Sequence, residues 1–266
     1  MYDRFDREIN YLRISVTDRC NLRCIYCMPA EGIKLLPHSQ ILTFDEITEF
    51  TRIAVSKGVK KVRITGGEPL VRKEIVTLVG MISELKGIKD LSMTTNGVLL
   101  KQFGKELHSA GLQRVNISLD TVDRENFRRI TGFDRLNDVL EGIEAAKAAG
   151  LEPVKINCVI KESKDEPDAV GVTQYCHDKH LEIRYIYQMD LIKGHFSTVI
   201  GGEGGNCALC NRLRLTASGK LKPCLFNEIE LDVRELGFEK ALEEAIRVKP
   251  KCGSFNKKGM FYNIGG

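Results

Sequence analysis

The sequence has no apolar stretch approaching the roughly 18 residues that a membrane-spanning helix needs. Its opening segment, Met1 to Arg13, is polar and charged and lacks the apolar core of a secretory signal. We therefore expect a cytoplasmic protein, in a compartment that keeps thiols reduced. No block of five or six like charges occurs, and the net charge is only +4, so nucleic acid is not an expected partner. His38, His108, His177, His180 and His195 form no ligand-spaced set, and no Ser/His/Asp arrangement for nucleophilic catalysis is present. Internal repeats and long low-complexity segments are missing as well.

At 266 residues and 42% hydrophobic content, the chain can bury one large core, or one core plus an appendage. Short apolar runs at 11–16, 61–65, 90–94, 114–118, 154–159 and 182–188 predict six strands. Between them the spacing predicts helices near 44–57, 73–86, 101–110, 136–149 and 167–179. Thr43 followed by Glu46 reads as a capping box, and Gly58, Gly87, Gly111 and Gly150 each stand just past a helical run. Such alternation predicts an α/β fold with a parallel sheet and right-handed crossovers. Six strands are too few for a closed eight-strand barrel, so we expect an open, six-strand partial (β/α) barrel. Its binding chemistry should lie at the C-terminal strand ends. After Met189 come a glycine run (Gly201, Gly202, Gly204, Gly205), a hairpin over 212–216 and 220–225, and a helix near 231–247. This divides the chain into a barrel over 1–190 and a small C-terminal region over 191–266.

Nine cysteines in a chain expected to stay reduced call for metal or redox chemistry before disulfides. Cys20, Cys24 and Cys27 follow the first strand, and three soft thiolates so close in sequence can converge on one cluster. Structural zinc wants four ligands, and no histidine or further cysteine lies nearby; zinc or bystander cysteines form the alternative. Three ligands on a four-iron cluster leave one iron open for a substrate or cofactor. After the second strand, Gly66-Gly67-Glu68-Pro69 lets backbone approach a ligand closely, and Glu68 offers a carboxylate to a cationic amine. Asn96 and Ser118 are further candidate contacts, with turn and cap hydrogen bonding as the alternative. Cys158 and Cys176 read as small core residues.

A second set begins with Cys207 and Cys210, and Cys224 follows across the predicted hairpin. A hairpin that returns to its start brings the third sulfur beside the first two, again suggesting an incompletely ligated cluster. Cys252 is a candidate fourth ligand, which would make a four-cysteine zinc site instead. Arg212 and Arg214 share one face of a strand, so both guanidiniums can grip one anion. Solvent-exposed strand arginines are the alternative reading.

The C-x3-C-x2-C spacing, with Tyr26 before its last cysteine, and the GGEP segment resemble the radical S-adenosylmethionine (SAM) enzymes. That resemblance implies a [4Fe–4S] cluster whose open iron chelates the amino and carboxylate groups of SAM. It also implies an external electron donor, which drives cleavage of SAM to methionine and a 5′-deoxyadenosyl radical. Gly66, Gly67, Glu68 and Pro69 would hold the SAM amine, and Tyr26, Asn96 and Ser118 would lie against the cofactor. Met189 would touch the adenine, with core packing as the alternative.

Within that superfamily, further segments resemble the GTP 3′,8-cyclases of molybdenum cofactor biosynthesis. They are LRISVTDRC at 12–20, Arg63-Ile64-Thr65 leading into GGEP, the C-x2-C-x13-C set, CNRLRLT at 210–216, and the final Ile264-Gly265-Gly266. The resemblance covers residues 1–190 and 205–226, plus the last glycines. It implies a second [4Fe–4S] cluster on Cys207, Cys210 and Cys224 that holds the guanine of GTP. It places Arg13, Lys61, Arg63, Lys155, Arg184, Arg212 and Arg214 around the two ligands, mostly on triphosphate and ribose, with Arg13, Arg63, Lys155 and Arg184 in catalytic roles. The implied reaction removes the ribose 3′ hydrogen and joins that carbon to guanine C8, the first step of molybdopterin formation. The Gly-Gly end would be a functional tail reaching toward the active site. The family is typically longer between the sixth strand and the second cysteine set; here seventeen residues separate Met189 from Cys207. A radical SAM enzyme acting on another substrate, such as a peptide, and a non-catalytic iron–sulfur scaffold are the competing readings. GTP is the implied small-molecule partner, no membrane partner is expected, and a homodimer stays open. Both sulfur triads are expected to face one cavity rimmed with positive side chains.

Overall fold

Along each of the first six strands, apolar residues alternate with polar ones. Parallel strands buried on both faces normally read as unbroken apolar runs, so this alternation implies that only one face packs against helices. The computed structural model, which describes residues 1–28, 33–257 and 261–264 (without the side chains of 262 and 263), has this arrangement. Strands β1 (Tyr11–Ser15), β2 (Lys61–Thr65), β3 (Asp90–Thr95), β4 (Arg114–Ser118), β5 (Lys155–Ile160) and β6 (Glu182–Tyr187) pair in parallel, each with the next. Leu12, Ile14, Val62, Ile64, Val115 and Ile117 are fully buried in the core shared with the helices, while Arg13, Arg63, Arg114 and Lys155 point to the other face.

The intervening helices are α1 (Phe44–Ser56), α2 (Ile75–Ser83), α3 (Leu100–Ser109), α4 (Arg124–Thr131), α5 (Leu136–Ala148) and α6 (Pro167–Asp178). The capping box of α1 is complete: Glu46 N donates to Thr43 Oγ1 (3.2 Å), and Thr43 N donates to Glu46 Oε2 (2.7 Å). All four glycines expected beyond helices have positive φ. Helix α4 was not expected from periodicity. It is short and highly charged, and its signals are the Asp123 cap, which accepts from Asn126 N (2.8 Å), and the stop at Gly132 (φ +78°).

The hairpin forms as β7 (Arg212–Leu215) and β8 (Lys220–Lys222). The helix expected over 231–247 is instead strand β9 (Leu231–Asp232) followed by two helices, α7 (Val233–Leu236) and α8 (Phe238–Arg247). Gly237, at φ +80° and ψ 146°, breaks the run. A last short helix, α9 (Phe261–Ile264), closes the described chain. Strand β7 lies parallel to β1, with Tyr11 opposite Arg212 and Arg13 opposite Arg214. The sheet therefore runs β6-β5-β4-β3-β2-β1-β7-β8-β9, and the C-terminal hairpin extends the barrel sheet. From the far edge, residues 190–206 return along β6, where Tyr185 and Ile200 exchange backbone hydrogen bonds (3.1 and 3.0 Å). A small second core joins Leu191, Leu225, Phe226 and Ile264 next to Cys224. The tail expected at Gly265-Gly266 lies outside the described residues, but Ile264 just before it is 1% exposed in that core.

Candidate active site: two cysteine triads and a cation-lined cavity

Beyond the end of β1, the loop of Cys20, Cys24 and Cys27 is shaped by backbone bonds. Cys27 N and Met28 N both donate to the Cys24 carbonyl (2.9 and 3.0 Å). Arg23 N and Ile25 N donate to the carbonyls of Thr131 and Ile130 (2.8 and 3.0 Å), so the end of α4 anchors the loop. From β2, Gly67 N donates to the Thr17 carbonyl (2.7 Å) and Glu68 N to the Arg19 carbonyl (2.8 Å). A Cβ on Gly67 would stand 2.4 Å from the Arg19 carbonyl oxygen, which only glycine avoids.

Glu68 is 1% exposed, and its carboxylate accepts from Thr95 Oγ1 (2.7 Å), Asn96 N (2.7 Å) and Leu70 N (3.0 Å). Burial pushes its pKa up to about 7 against those three bonds. Asn96 donates from Nδ2 to Asn21 Oδ1 (2.7 Å) and stands 3.8 Å from Cys20 Sγ. The Tyr26 hydroxyl donates to Asp120 (2.6 Å), whose other oxygen accepts from Val159 N (2.8 Å).

Burial raises the pKa of all three thiols, to about 12 at Cys27, and at Cys24 Asp120 and the other two sulfurs add to the rise. Thiols that resist ionisation alone become thiolates when a cationic centre replaces their protons. Among the described residues no three Cys, His, Asp or Glu side chains converge where a single ion would sit. Three thiolates are one short of the four that structural zinc takes, whereas three suffice for a four-iron cluster with one open iron.

A cavity of about 570 Å³ opens inside the barrel, walled by the N-terminal halves of the strands. Its lining holds eight basic side chains, Arg13, Lys61, Arg63, Arg114, Lys155, Arg184, Arg212 and Arg214, against three acidic ones, Asp90, Glu182 and Glu203. Arg114 pairs with Asp90 and Lys155 with Glu182 (2.5 Å each), which leaves an excess of positive charge. The Tyr11 ring lies between Arg63 and Arg212, whose guanidinium carbons stand 5.5 and 5.4 Å from its centroid. Burial, followed by like-charge neighbours, holds Arg13 well below its usual pKa and brings Arg214 down to about 10. Arginines so crowded and desolvated favour an anion among them. The Tyr11 hydroxyl and Arg184 Nε have no hydrogen-bond partner among the described residues.

At this N-terminal rim stand Cys207 and Cys210, just before β7, and Cys224, just after β8; all three line the cavity. Lys249, 1% exposed, donates to the carbonyls of Pro223 (2.6 Å) and Arg212 (2.7 Å) and reaches 3.5 Å from Cys210 Sγ. Burial alone would raise the Cys210 pKa, but Lys249, Arg212 and Arg214 outweigh it and the net shift is downward. At Cys224 burial prevails and the pKa is raised.

The seven basic residues singled out from sequence thus meet in one cavity, together with Met189, which also packs against the second core. Cys20, Cys24, Cys27, Tyr26, Gly66, Gly67, Glu68, Pro69, Asn96 and Ser118 do not line it; they belong to the C-terminal side of the sheet. The basic side chains and the second triad thus lie away from the C-terminal strand ends where binding chemistry was expected, and, contrary to the expectation that both triads face one cavity, only the second lines it. Strand β7 enters parallel to β1, so the cysteines preceding it fall at the opposite rim, with the barrel interior between the two triads. Nine of the residues from Phe196 to Asn206 line the cavity, so the seventeen-residue segment after Met189 supplies part of its wall. Sequence reasoning missed Tyr11, Arg114 and Asn157, although the two-residue alternation that places Arg63 also points them inward. Asp120 and Lys249 carried no such signal, because a strand-end turn and a helix end bring them in.

Fold and first triad together define a class, and comparison with known proteins agrees. The family model described as "Radical SAM superfamily" matches residues 14–169, and "Molybdenum Cofactor Synthesis C" matches 161–256. Among solved structures, native anSMEcpe with bound AdoMet has a TM-score of 0.63 at 16% identity, covering 91% of this chain and 81% of that one. Streptococcus suis SuiB bound to S-adenosylmethionine has a TM-score of 0.53 at 21% identity, covering 69% of this chain and 41% of that one. These likenesses establish the radical SAM fold.

Among curated relatives, the GTP 3′,8-cyclase of Thermodesulfovibrio yellowstonii is 43% identical, covering 93% of this chain and 91% of its own. Those of Heliobacterium modesticaldum and Moorella thermoacetica are 42% and 41% identical, each covering 88% of this chain and 86% of its own. The chain belongs to the GTP 3′,8-cyclase family of radical SAM enzymes. The first alignment runs to 293 positions, more than the 266 residues here, so that relative carries segments this chain lacks. No described helix is long and apolar enough to cross a membrane.

Proposed function

We propose that this enzyme converts GTP to (8S)-3′,8-cyclo-7,8-dihydroguanosine 5′-triphosphate, the first step of molybdopterin biosynthesis. The observation that carries the reading is the cavity at the N-terminal half of the barrel, with eight basic side chains against three acidic ones. A nucleoside triphosphate brings several negative charges, and prepositioned cations in a water-poor interior bind it strongly. A neutral or basic peptide substrate gives no reason for such a concentration of arginine.

In this reading Cys20, Cys24 and Cys27 hold a [4Fe–4S] cluster that, with SAM and an electron from an external donor, supplies the radical able to take the ribose 3′ hydrogen. Gly66 and Gly67 hold the cluster loop against the end of β2, and Glu68 fixes the turn that presents Asn96 beside Cys20. Arg13, Lys61, Arg63, Arg184, Arg212 and Arg214 bind and orient the triphosphate and ribose, and Lys155 shares its charge with Glu182 until substrate enters. In the same reading Cys207, Cys210 and Cys224 hold a second [4Fe–4S] cluster that meets the guanine, which their position on the cavity wall supports. A thiol-reducing, cytoplasmic compartment suits both sets of ligands.

The test is anaerobic. Reconstituted protein, given GTP, SAM and a reductant, should form 5′-deoxyadenosine and the cyclised nucleotide together. SAM cleavage without GTP binding would move the assignment to another substrate; no SAM cleavage from an iron-loaded protein would support a scaffold.

A further inference from the structure

One short segment, residues 249–253, forms the outer wall of the second triad. Lys249, Cys252 and Gly253 each meet a different cysteine. The Lys249 ammonium reaches 3.5 Å from Cys210 Sγ, Cys252 Sγ lies 3.0 Å from Cys207 Sγ, and a Cβ on Gly253 would stand 3.3 Å from Cys224 Sγ. Arg7 fixes this wall. It donates to the carbonyls of Cys207 (2.7 Å), Lys251 (2.9 Å) and Pro250 (2.7 Å), and Asp3 holds its guanidinium (2.6 Å). Cys252 is thus held beside Cys207 by a buried ion pair. Exposure separates the two thiols: Cys207 is half-buried and lines the cavity, whereas Cys252 is exposed and does not.

We propose that Cys207 and Cys252 form a thiol–disulfide pair that controls iron uptake by the second triad. The proposal rests on the reading that Cys207, Cys210 and Cys224 hold an auxiliary cluster. The oxidant is a low-molecular-weight disulfide. The exposed Cys252 thiolate attacks one of its sulfurs and expels one small thiolate; the Cys207 thiolate then attacks the Cys252 sulfur and expels the second. One protein S–S bond forms, the small S–S bond breaks, two protons leave the protein thiols, and two electrons reduce the small disulfide to two thiols. The product withholds one of three ligands from the cluster, and an added small thiol returns it.

The test uses iron-free full-length protein treated with oxidised glutathione under anaerobic conditions, then alkylated and peptide-mapped. We expect one cross-linked peptide joining Cys207 to Cys252. The same oxidised protein, then given iron and sulfide without a thiol, should fall about four irons short of Cys252→Ser handled identically, since one four-iron cluster is lost. Reduced wild type and reduced Cys252→Ser should both reach about eight irons, from two four-iron clusters. Cys207 left free or joined to Cys210, or equal iron loss in Cys252→Ser, overturns the proposal. Reduced wild type reaching only about four irons would instead sink the auxiliary-cluster reading, and control of iron uptake with it.

Discussion

Cys20, Cys24 and Cys27 lie close in sequence, in a loop tied down mainly by backbone bonds, whereas Cys207, Cys210 and Cys224 come from two strand ends and rely on Lys249 and Arg7 arriving from elsewhere. Their electrostatic surroundings differ in sign. Near the first triad stand two carboxyls, the buried Glu68 and the half-buried Asp120; around the second stand Lys249, Arg212 and Arg214. SAM carries a sulfonium and an ammonium, while GTP carries phosphates. Under the proposed function, two cysteine sets of similar chemistry would thereby have opposite preferences, each ligand being discouraged from the other's end of the barrel.

If the two regions are independent, Cys24→Ser should lower bound iron from about eight to about four and abolish SAM cleavage. Cys224→Ser should remove the same amount of iron, yet keep SAM cleavage while losing cyclisation. Iron analysis with deoxyadenosine measurement reads both, and SAM cleavage lost equally in both variants would break the distinction.

A smaller effect is expected from the cations. Arg214→Ala should raise the Kd for GTP about 10- to 100-fold, from the loss of roughly 1.5–3 kcal/mol of charged hydrogen bonding, and leave SAM binding unchanged. Added salt should weaken GTP binding further, and equilibrium binding of each ligand sharpens the contrast between the two ends.

The last effect, on stability rather than on ligand binding, concerns Glu68. Burial raises its pKa from 4.5 to about 7, so on raising the pH the unfolded chain ionises first. Stability is then lost between about pH 4.5 and pH 7, by at most about 3 kcal/mol. Glu68→Gln has no such titration, so its deficit in thermal midpoint against wild type should shrink from pH 5 to pH 8. A deficit that grows over that range contradicts the account of Glu68 as a buried carboxyl.

Much of this was legible because it is local. The six barrel strands appear within a residue or two of where the apolar runs place them, and the Thr43–Glu46 box forms as read. Helix α4 was missed because half of its eight residues are charged and its evidence lies in the capping residues, Asp123 and Gly132. The helix expected over 231–247 failed at Gly237, whose backbone conformation no helix permits. In the site, the cysteine spacings and the shared face of Arg212 and Arg214 were visible, since spacing and two-residue alternation are properties of the chain; the other cavity arginines were placed by family resemblance, and Arg114 was not placed at all. Asp120, Lys249 and the contact between Cys207 and Cys252 were not visible, because turns and helix ends far along the chain deliver them.

By itself, the sequence determined the α/β alternation, the spacing of the cysteines and the shared strand face of Arg212 and Arg214, all of which follow from bonds and periodicities within a few residues. The tertiary structure alone decided that the two triads occupy opposite rims. Strand β7 joins the edge of β1 in parallel, and only that pairing across two hundred residues sets which end of the barrel receives the second set of sulfurs.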